Sequence, residues 1–323
     1  MQKILSLTSL LISLQLAAQQ PATIRLFEAI RSGKTAALEQ QLSTGADAND
    51  SLNGYSALMA ATLDGSSDQM SLLILHGANV NYENPLHITA LWLAVPDKEK
   101  TMILLDHGAD ASHPVEGYSV LTKCASIPGS VDLIRTLITK GADPRKSAPD
   151  NSLLYEAAGS GDTAILGLVI RLGFKVNDTT SSGDYPINSA QAFRNFPTLK
   201  MLVDNGADVN ARSIYLKTLP AMVGFTPLMT AALNADSASL LYLLQHGADP
   251  NGKSRMGVTA LMLLQQSESD CPDLSLALLR HGADPATKTP DGNDARSFAL
   301  RSGFTKSADL LNQYGNRQAI RHE

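Results

Sequence analysis

Residues 224–251 read GFTPLMTAALNADSASLLYLLQHGADPN, and this stretch decides the fold. Thr226 stands where its hydroxyl can accept a hydrogen bond from an unpaired N–H of a first helical turn, and Pro227 follows at the first helical position, where a missing N–H costs nothing. A second apolar run ends at Gly247, which can adopt the left-handed conformation that closes a helix. The stretch therefore predicts two short helices followed by a polar, extended loop.

The Gly-Ala-Asp or Gly-Ala-Asn ending recurs along the chain. Its glycines are Gly45, Gly77, Gly108, Gly141, Gly206, Gly247 and Gly282, with a weaker copy at Gly173 and a last glycine at Gly315. Successive spacings are 32, 31, 33, 32, 33, 41, 35 and 33 residues. The predicted N-caps of the first helices are Ser56, Thr89, Ser119, Ser152, Thr226, Thr259 and Asp294. A period near 33 predicts repeats that bury their apolar faces only by stacking on neighbours.

This pattern resembles the ankyrin repeat, in which Gly-x-Thr-Pro-Leu-His-x-Ala-Ala opens a unit and Leu-Leu-x-x-Gly-Ala-Asp-x-Asn closes it. The resemblance covers about residues 22–315 and implies an all-α solenoid of about nine helix-turn-helix units with short β-hairpin loops. It also implies a concave face that binds proteins. The predicted domain is 19–323, with repeats at about 22–50, 51–84, 85–114, 115–149, 150–182, 183–223, 224–256, 257–291 and 292–323.

The first 18 residues differ from the repeats. Lys3 gives a positive start, residues 4–16 are largely apolar, and Leu16-Ala17-Ala18 places small residues at a cleavage position. About thirteen apolar residues are too few to span a bilayer core of roughly 30 Å. We therefore expect a signal peptide at 1–18 and export to the periplasm, with an extracellular location as the alternative.

The charge balance disfavours two classes of partner. The chain has a formal net charge of −5, whereas nucleic-acid and anionic-membrane binding depend on surplus Lys and Arg. The sequence after residue 18 contains no second apolar stretch long enough for a bilayer. We expect no nucleic acid, no membrane insertion after signal cleavage, and a monomer.

The repeats carry no recognisable catalytic pattern, and we expect no enzyme activity, cofactor or metal. His76, His107, His246 and His281 each precede the Gly of a Gly-Ala-Asp or Gly-Ala-Asn sequence, which favours a helix C-terminal role. His107, Asp110 and His113 form a loose cluster without the spacing of known metal sites.

The two cysteines are predicted to be unpaired. Cys124 falls in a first helix and Cys271 in the turn between two helices, four units apart. At roughly 8–10 Å per unit they lie about 32–40 Å apart, far beyond the ~7 Å limit for bridged α-carbons. A passive thiol and a redox role for Cys271 are the two interpretations.

A row of apolar residues precedes the helix caps. Tyr55, Ile88, Tyr118, Phe225 and Val258 occupy this position. They are either hydrophobic staples against the first helix or anchors for a partner, and Trp92 is either core or contact. The predicted partner-binding residues are Tyr55, Leu86, Ile88, Trp92, Val115, Glu116, Tyr118, Ile214, Tyr215, Leu216, Met222, Phe225 and Met256.

The spacing of 41 residues marks an insertion of about eight residues within 211–223. Long loops with apolar tips bind something, fold back, or stay disordered, and we favour partner contact. The sequence predicts a non-catalytic protein-binding scaffold. A periplasmic immunity protein that neutralises a delivered toxin and an exported effector that binds a host protein are the alternatives.

Overall fold

A computed structural model describes residues 22–115, 118–147, 152–213 and 224–321. Within these ranges the chain forms two compact units, residues 22–124 with 132–147, and residues 125–131 with 152–321. The elements of the first four repeats are α1 (Ala22–Arg31), α2 (Thr35–Ser43), β1 (Ser51–Leu52), β2 (Tyr55–Ser56), α3 (Ala57–Asp64), α4 (Ser67–Leu75), α5 (Ala90–Ala94), α6 (Lys98–Asp106), α7 (Val120–Ala125), α8 (Val131–Thr139) and α9 (Pro144–Ser147).

The last five repeats continue the same alternation of two short helices. Their elements are α10 (Ser152–Gly159), α11 (Thr163–Arg171), α12 (Pro186–Ala192), α13 (Phe196–Asp204), α14 (Pro227–Leu233), α15 (Ser237–Gln245), α16 (Ala260–Leu264), α17 (Pro272–Arg280), α18 (Ala295–Arg301) and α19 (Thr305–Arg321). The all-α fold class predicted from the repeat is confirmed. In the described ranges no helix combines the length and apolar composition needed to cross a bilayer.

Packing within each unit follows the repeat. In the second unit each of the first helices α10, α12, α14 and α16 contacts the next one, up to α18, and each of the second helices α11, α13, α15 and α17 contacts the next one, up to α19. Small side chains such as Ala231 and Ala232 are fully buried between the first helices, and Leu240 and Leu243 are fully buried on the second. Each buried leucine contributes about 1.5–3 kcal/mol, so the core is a sum of similar interfaces.

The predicted helix starts are confirmed with one correction. The side chains of Ser56, Thr89, Ser119, Thr226, Thr259 and Asp294 each accept a hydrogen bond from the backbone N–H three residues later. Ser152 was expected to be a cap, but it is the first residue of α10 itself. Pro227 opens α14 as predicted.

The predicted helix ends are also confirmed, except at the last glycine. Gly45, Gly77, Gly108, Gly141, Gly173, Gly206, Gly247 and Gly282 all have φ between 84° and 102°. Gly315 instead lies inside α19, where the sequence after it continues the helix to Arg321. A second departure is α9, a helical turn at Pro144–Ser147 where an extended loop was expected.

Asparagines join successive repeats. In the Gly-Ala-Asp-x-Asn pattern, the last Asn donates its amide to the next repeat's glycine carbonyl and accepts the N–H two residues beyond that glycine. Asn81, for example, donates to the Gly108 carbonyl oxygen at 2.9 Å and accepts from the Asp110 N–H at 2.8 Å. The same bond to a glycine carbonyl is made by Asn49, Asn177, Asn210 and Asn251. These bonds fix the loop that carries each hairpin.

Candidate protein-binding surface

The loop of the second repeat is a two-stranded hairpin. Ser51 pairs with Ser56 and Leu52 with Tyr55. The turn is Asn53-Gly54, with φ of 53° and 80°, the left-handed pair that two-residue hairpins favour. Tyr55 is half-buried and lies between the turn and Ser56, the cap of α3. Its aromatic ring is therefore held on a rigid support.

The loop of the third repeat is organised by one buried side chain. Asn84 accepts hydrogen bonds from the N–H groups of Leu86, at 3.0 Å, and Ile88, at 2.9 Å. Its backbone carbonyl also accepts from the N–H of His87 at 2.8 Å. The resulting turn leaves the Leu86 side chain 61% exposed, while Ile88 is half-buried. Leu86 is an apolar side chain presented on an ordered tip.

The fourth repeat presents one of its two predicted apolar residues. The backbones of Val115 and Tyr118 form a bridge, with N–H···O distances of 2.7 and 2.9 Å. Tyr118 is 39% exposed, but Val115 is only 6% exposed. Val115 is thus corrected from a contact residue to an interior one, because its side chain is buried although its backbone pairs with that of the exposed Tyr118. Glu116, also predicted, lies outside the described residues.

Trp92 is neither fully in the core nor fully exposed for contact, the two environments that the sequence left open. Its side chain is half-buried in α5, and the Lys123 ammonium group lies 5.0 Å from the ring centroid. Lys123 also donates a 2.6 Å hydrogen bond to the Trp92 carbonyl oxygen, at the end of the short helix. Burial lowers the pKa of Lys123 from 10.5, against an opposing effect of Cys124. The lysine and the indole ring therefore form one ordered cation–π pair.

The second unit carries two cavities beside its loops. One, of about 450 Å³, is lined by polar groups that include Tyr185, Arg212 and Arg255. The other, of about 410 Å³, has apolar walls from Phe225, Leu233, Val258, Leu263 and Phe298. Cavities of this size accommodate ligand groups or side chains.

The two predicted contact residues of this unit differ in exposure. Met256 is 60% exposed at the rim of the apolar cavity. Phe225 is 4% exposed, so it is corrected from a surface anchor to part of the cavity wall. The inserted-loop residues Ile214, Tyr215, Leu216 and Met222 lie outside the described residues.

Sequence reasoning missed the side chains contributed by the first helices. Leu63 is 49% exposed, and Leu233, Leu263, Phe298 and Arg301 line the apolar cavity. All five lie four or seven residues after the helix cap, a spacing that places side chains on one face. That spacing after each Ser, Thr or Asp cap was the signal that could have found them.

A family model described as ankyrin repeats (3 copies) matches residues 26–113 and 154–254, which are more than half of the chain. The chain belongs to the ankyrin-repeat family. Ankyrin repeats generally mediate protein–protein interactions, so membership indicates a protein partner. The loops and first helices described above are the surfaces that this ankyrin-repeat chain offers.

Several known proteins share the repeat. Ankyrin repeat and SOCS box protein 6 of Homo sapiens is 29% identical over 247 residues, 72% of this chain and 53% of that protein. Transient receptor potential cation channel subfamily A member 1 of Homo sapiens is 24% identical over 172 residues, 49% of this chain and 15% of the channel. Alpha-latrocrustotoxin-Lt1a of Latrodectus tredecimguttatus is 31% identical over 138 residues, 41% of this chain and 9% of the toxin. This ankyrin-repeat chain spans about half the length of the first relative and less of the other two.

The repeated histidines of this ankyrin-repeat chain are helix C-caps. His76, His107, His246 and His281 each occupy the C-cap of a second helix. The Nδ1 atoms of His107, His246 and His281 lie within 2.9 Å of the carbonyl oxygen four residues earlier. Within the described ranges, no group of three His, Cys, Asp or Glu side chains could hold a metal ion.

Neither Cys124 nor Cys271 forms a disulfide bond in the described part of the chain. Cys124 is buried in α7, and this burial raises the pKa of its thiol to about 12, although Lys123 acts in the opposite direction. Cys271 is half-buried and is the residue before α17, in the turn where the sequence placed it. The two thiols therefore differ in accessibility.

Proposed function

We propose that this protein is a non-catalytic scaffold that binds a partner protein in the periplasm or outside the cell. The observation that carries the proposal is the exposed apolar side chain of Leu86, 61% exposed on a tip held by three hydrogen bonds to Asn84. Tyr118 presents a second exposed side chain on the next tip. Ordered apolar anchors favour binding because little conformational entropy is lost on association.

We define the first-unit face as Tyr55, Leu63, Leu86, Ile88, Trp92 and Tyr118. These side chains lie on the loops or first helices of three consecutive repeats. The loop before α5 and the loop after α6 also touch, since His113 Nε2 lies 3.1 Å from the His87 carbonyl oxygen. An aromatic-rich, partly exposed row of this kind is typical of the centre of a protein interface.

Export is supported by the composition of residues 1–18, with Lys3 before an apolar segment and Ala17-Ala18 at its end. Mass spectrometry of the protein recovered from a bacterial periplasmic fraction tests it. A mature chain that begins at Gln19 supports export, whereas an intact N-terminus in the cytoplasmic fraction contradicts it.

Affinity capture with the tagged full chain tests the binding function. Leu86→Ala and Tyr118→Ala should each reduce recovery of the captured partner from periplasmic extract about tenfold, since central anchors are each worth about 1.4 kcal/mol or more. The matched control is Leu75→Ala, an 82% exposed leucine on the second helix α4, which should leave recovery unchanged. Equal loss in all three variants, or no partner in any, contradicts the proposal.

The identity of the partner separates the narrower roles. Stoichiometric capture of a toxin, with rescue of cells that express it in the periplasm, indicates an immunity protein. Capture of a protein from host-cell extract, together with secretion, indicates an effector. Capture of a resident periplasmic enzyme indicates an accessory scaffold.

A further inference from the structure

Three loops of the second unit carry more basic than acidic residues, although the whole chain has a net charge of −5 and the loop 178–185 of the same unit contains Asp178 and Asp184 and no Lys or Arg. The loop segments 211–213, 252–258 and 286–293 contain four basic residues and one acidic residue. These are Arg212, Lys253, Arg255 and Lys288 against Asp291. The corresponding loops 50–55 and 82–88 of the first unit contain Asp50 and Glu83 and no Lys or Arg. Positive charge is thus concentrated where the second unit has its cavities.

The polar cavity is lined by two arginines. Arg212 donates a hydrogen bond to the Lys253 carbonyl oxygen, which orients its guanidinium. The stem of Arg255 packs over Gly224, where an added Cβ would lie 3.3 Å from the Arg255 Cγ atom. Asp208 also lines this cavity, and one of its oxygens accepts the Asn210 N–H at 2.8 Å.

One carboxylate, that of Asp208, lines the polar cavity together with Arg212 and Arg255. Within the part of the chain that the structure describes, neither Arg212 nor Arg255 forms an ion pair. A carboxylate from outside would therefore meet two guanidinium groups, which bind carboxylates in a planar, bidentate geometry. The polar cavity suits an acidic side chain.

The apolar cavity lies beside the polar one. Gly224 lines the polar cavity, and the next residue, Phe225, lines the apolar cavity. In the same way, Arg255 lines the polar cavity and the next residue, Met256, lines the apolar cavity. Consecutive α-carbons are about 3.8 Å apart, so the two cavities border the same two backbone segments. Arg301 stands at the far side of the apolar cavity, 5.7 Å from the Phe298 ring, and donates to the Asn293 side chain.

We propose that the two cavities form one bipartite site for an extended segment of the partner protein that carries an acidic residue and a large apolar residue. The carboxylate binds between Arg212 and Arg255, and the apolar side chain enters the cavity walled by Leu233, Leu263 and Phe298. The inference rests on the proposed protein-binding function and names the chemistry of the segment bound.

Selection from a random-peptide display library on the purified full chain tests the site. Enriched peptides should combine Asp or Glu with Phe, Trp, Leu, Ile or Met in one short segment. A fluorescent copy of the strongest peptide should bind about tenfold more weakly to Arg255→Gln than to the unchanged chain. Gln keeps part of the stem over Gly224 and removes the charge. Replacing the peptide's apolar residue with Ala should weaken binding by a similar factor.

The control variant is Arg280→Gln, an exposed arginine in the last turn of α17 that lines neither cavity. This variant should change the affinity for the peptide less than about twofold. Raising the salt concentration should weaken the binding of the acidic peptide. Enriched peptides without an acidic residue, equal binding to Arg255→Gln, or no enrichment overturns the bipartite site. If partner capture still depends on Leu86 in that case, the scaffold function stands and only this site is rejected.

Discussion

The Lys123 ammonium group lies 5.0 Å from the centre of the Trp92 ring and 2.6 Å from the Trp92 carbonyl oxygen. The Lys123 side chain therefore donates a hydrogen bond to a carbonyl group of the five-residue helix α5 in the preceding repeat and also covers the aromatic ring of Trp92. Lys100 likewise binds the end of the first helix of the repeat before, donating to the carbonyl oxygens of Thr62 and Gly65 at 2.7 and 3.0 Å. Lysine capping across repeats shapes the first-helix surface of the first unit.

The pKa values of Lys123 and of Lys200, a lysine of α13, should be shifted in opposite directions. Burial lowers the pKa of Lys123, whereas the hydrogen bond to Asp204 raises the pKa of Lys200 above its ordinary value. NMR of the chain with ¹³C-methylated lysines should show Lys123 titrating at a lower pH than Lys200. Lys123→Met and Lys200→Met assign the signals, and the reverse order contradicts the contacts described for both side chains.

The free energy of unfolding should depend on pH because the pKa of Lys123 is lowered in the folded chain. Because the protonated form is disfavoured in the folded chain, the unfolded chain binds more protons between the folded pKa and 10.5. The free energy of unfolding of the unchanged chain, relative to that of Lys123→Met, should therefore increase as the pH rises through this interval. Urea unfolding at several alkaline pH values measures the difference, and a decrease across the interval is the contrary result.

The two cysteines should react at different rates. The pKa of about 12 leaves about one Cys124 thiol in ten thousand ionised at pH 8, and the side chain is buried. Iodoacetamide should label only Cys271 in the folded chain and both thiols in urea, as counted by mass spectrometry. Cys271→Ser should abolish labelling of the folded chain. Rapid labelling of that variant would contradict the burial of Cys124.

Removing one inter-repeat asparagine should weaken the fold. Asn81→Ala loses hydrogen bonds to the Gly108 carbonyl and from the Asp110 N–H, at about 0.5–1.5 kcal/mol each. Denaturant unfolding should show a loss of about 1–3 kcal/mol. The control is Asn312→Ala on the exposed side of α19, expected to stay within about 0.5 kcal/mol. Equal effects of the two changes would mean that the inter-repeat bonds contribute nothing.

Replacing glycine with alanine should have opposite effects on the free energy of unfolding at Gly54 and Gly167. Gly54 has φ of 80° in the hairpin turn, so Gly54→Ala should cost about 1 kcal/mol or more. Gly167 lies inside α11, where an added Cβ would meet only the flexible end of Arg171 at 3.3 Å and the Met201 sulfur at 4.0 Å. Gly167→Ala should stabilise by up to about 1 kcal/mol. Thermal unfolding compares the two, and the same sign of change in both is the contrary result.

The sequence predicted the starts and ends of the helices well because the repeated residue types themselves determine them. Gly247 closes α15 with a left-handed φ of 86°, and Thr226 caps α14, as their residue types require. The series of helix-ending glycines does not extend to Gly315, which lies inside α19, because a glycine alone does not close a helix. At Gly247 the Ala248 N–H bonds back to the Leu243 carbonyl, a contact that residue type alone does not specify.

The surface was harder to predict because repeat position does not fix exposure. Tyr118 and Phe225 both directly precede a helix cap, yet the first is 39% exposed and the second 4%. The difference depends on neighbouring loops, since Phe225 lies against side chains from the following two repeats around its cavity. Tertiary contacts between residues far apart in sequence decide this, and a single repeat does not contain them.

In-cell photo-crosslinking tests the protein-binding surface most directly. A benzophenone amino acid replaces Leu86 in one strain and Leu75 in another, both leucines being well exposed in the first unit, at 61% and 82%. Irradiation should produce a discrete adduct with a partner protein at position 86 and none at position 75. An adduct at position 75 alone, or none at either, would contradict binding through the first-unit face.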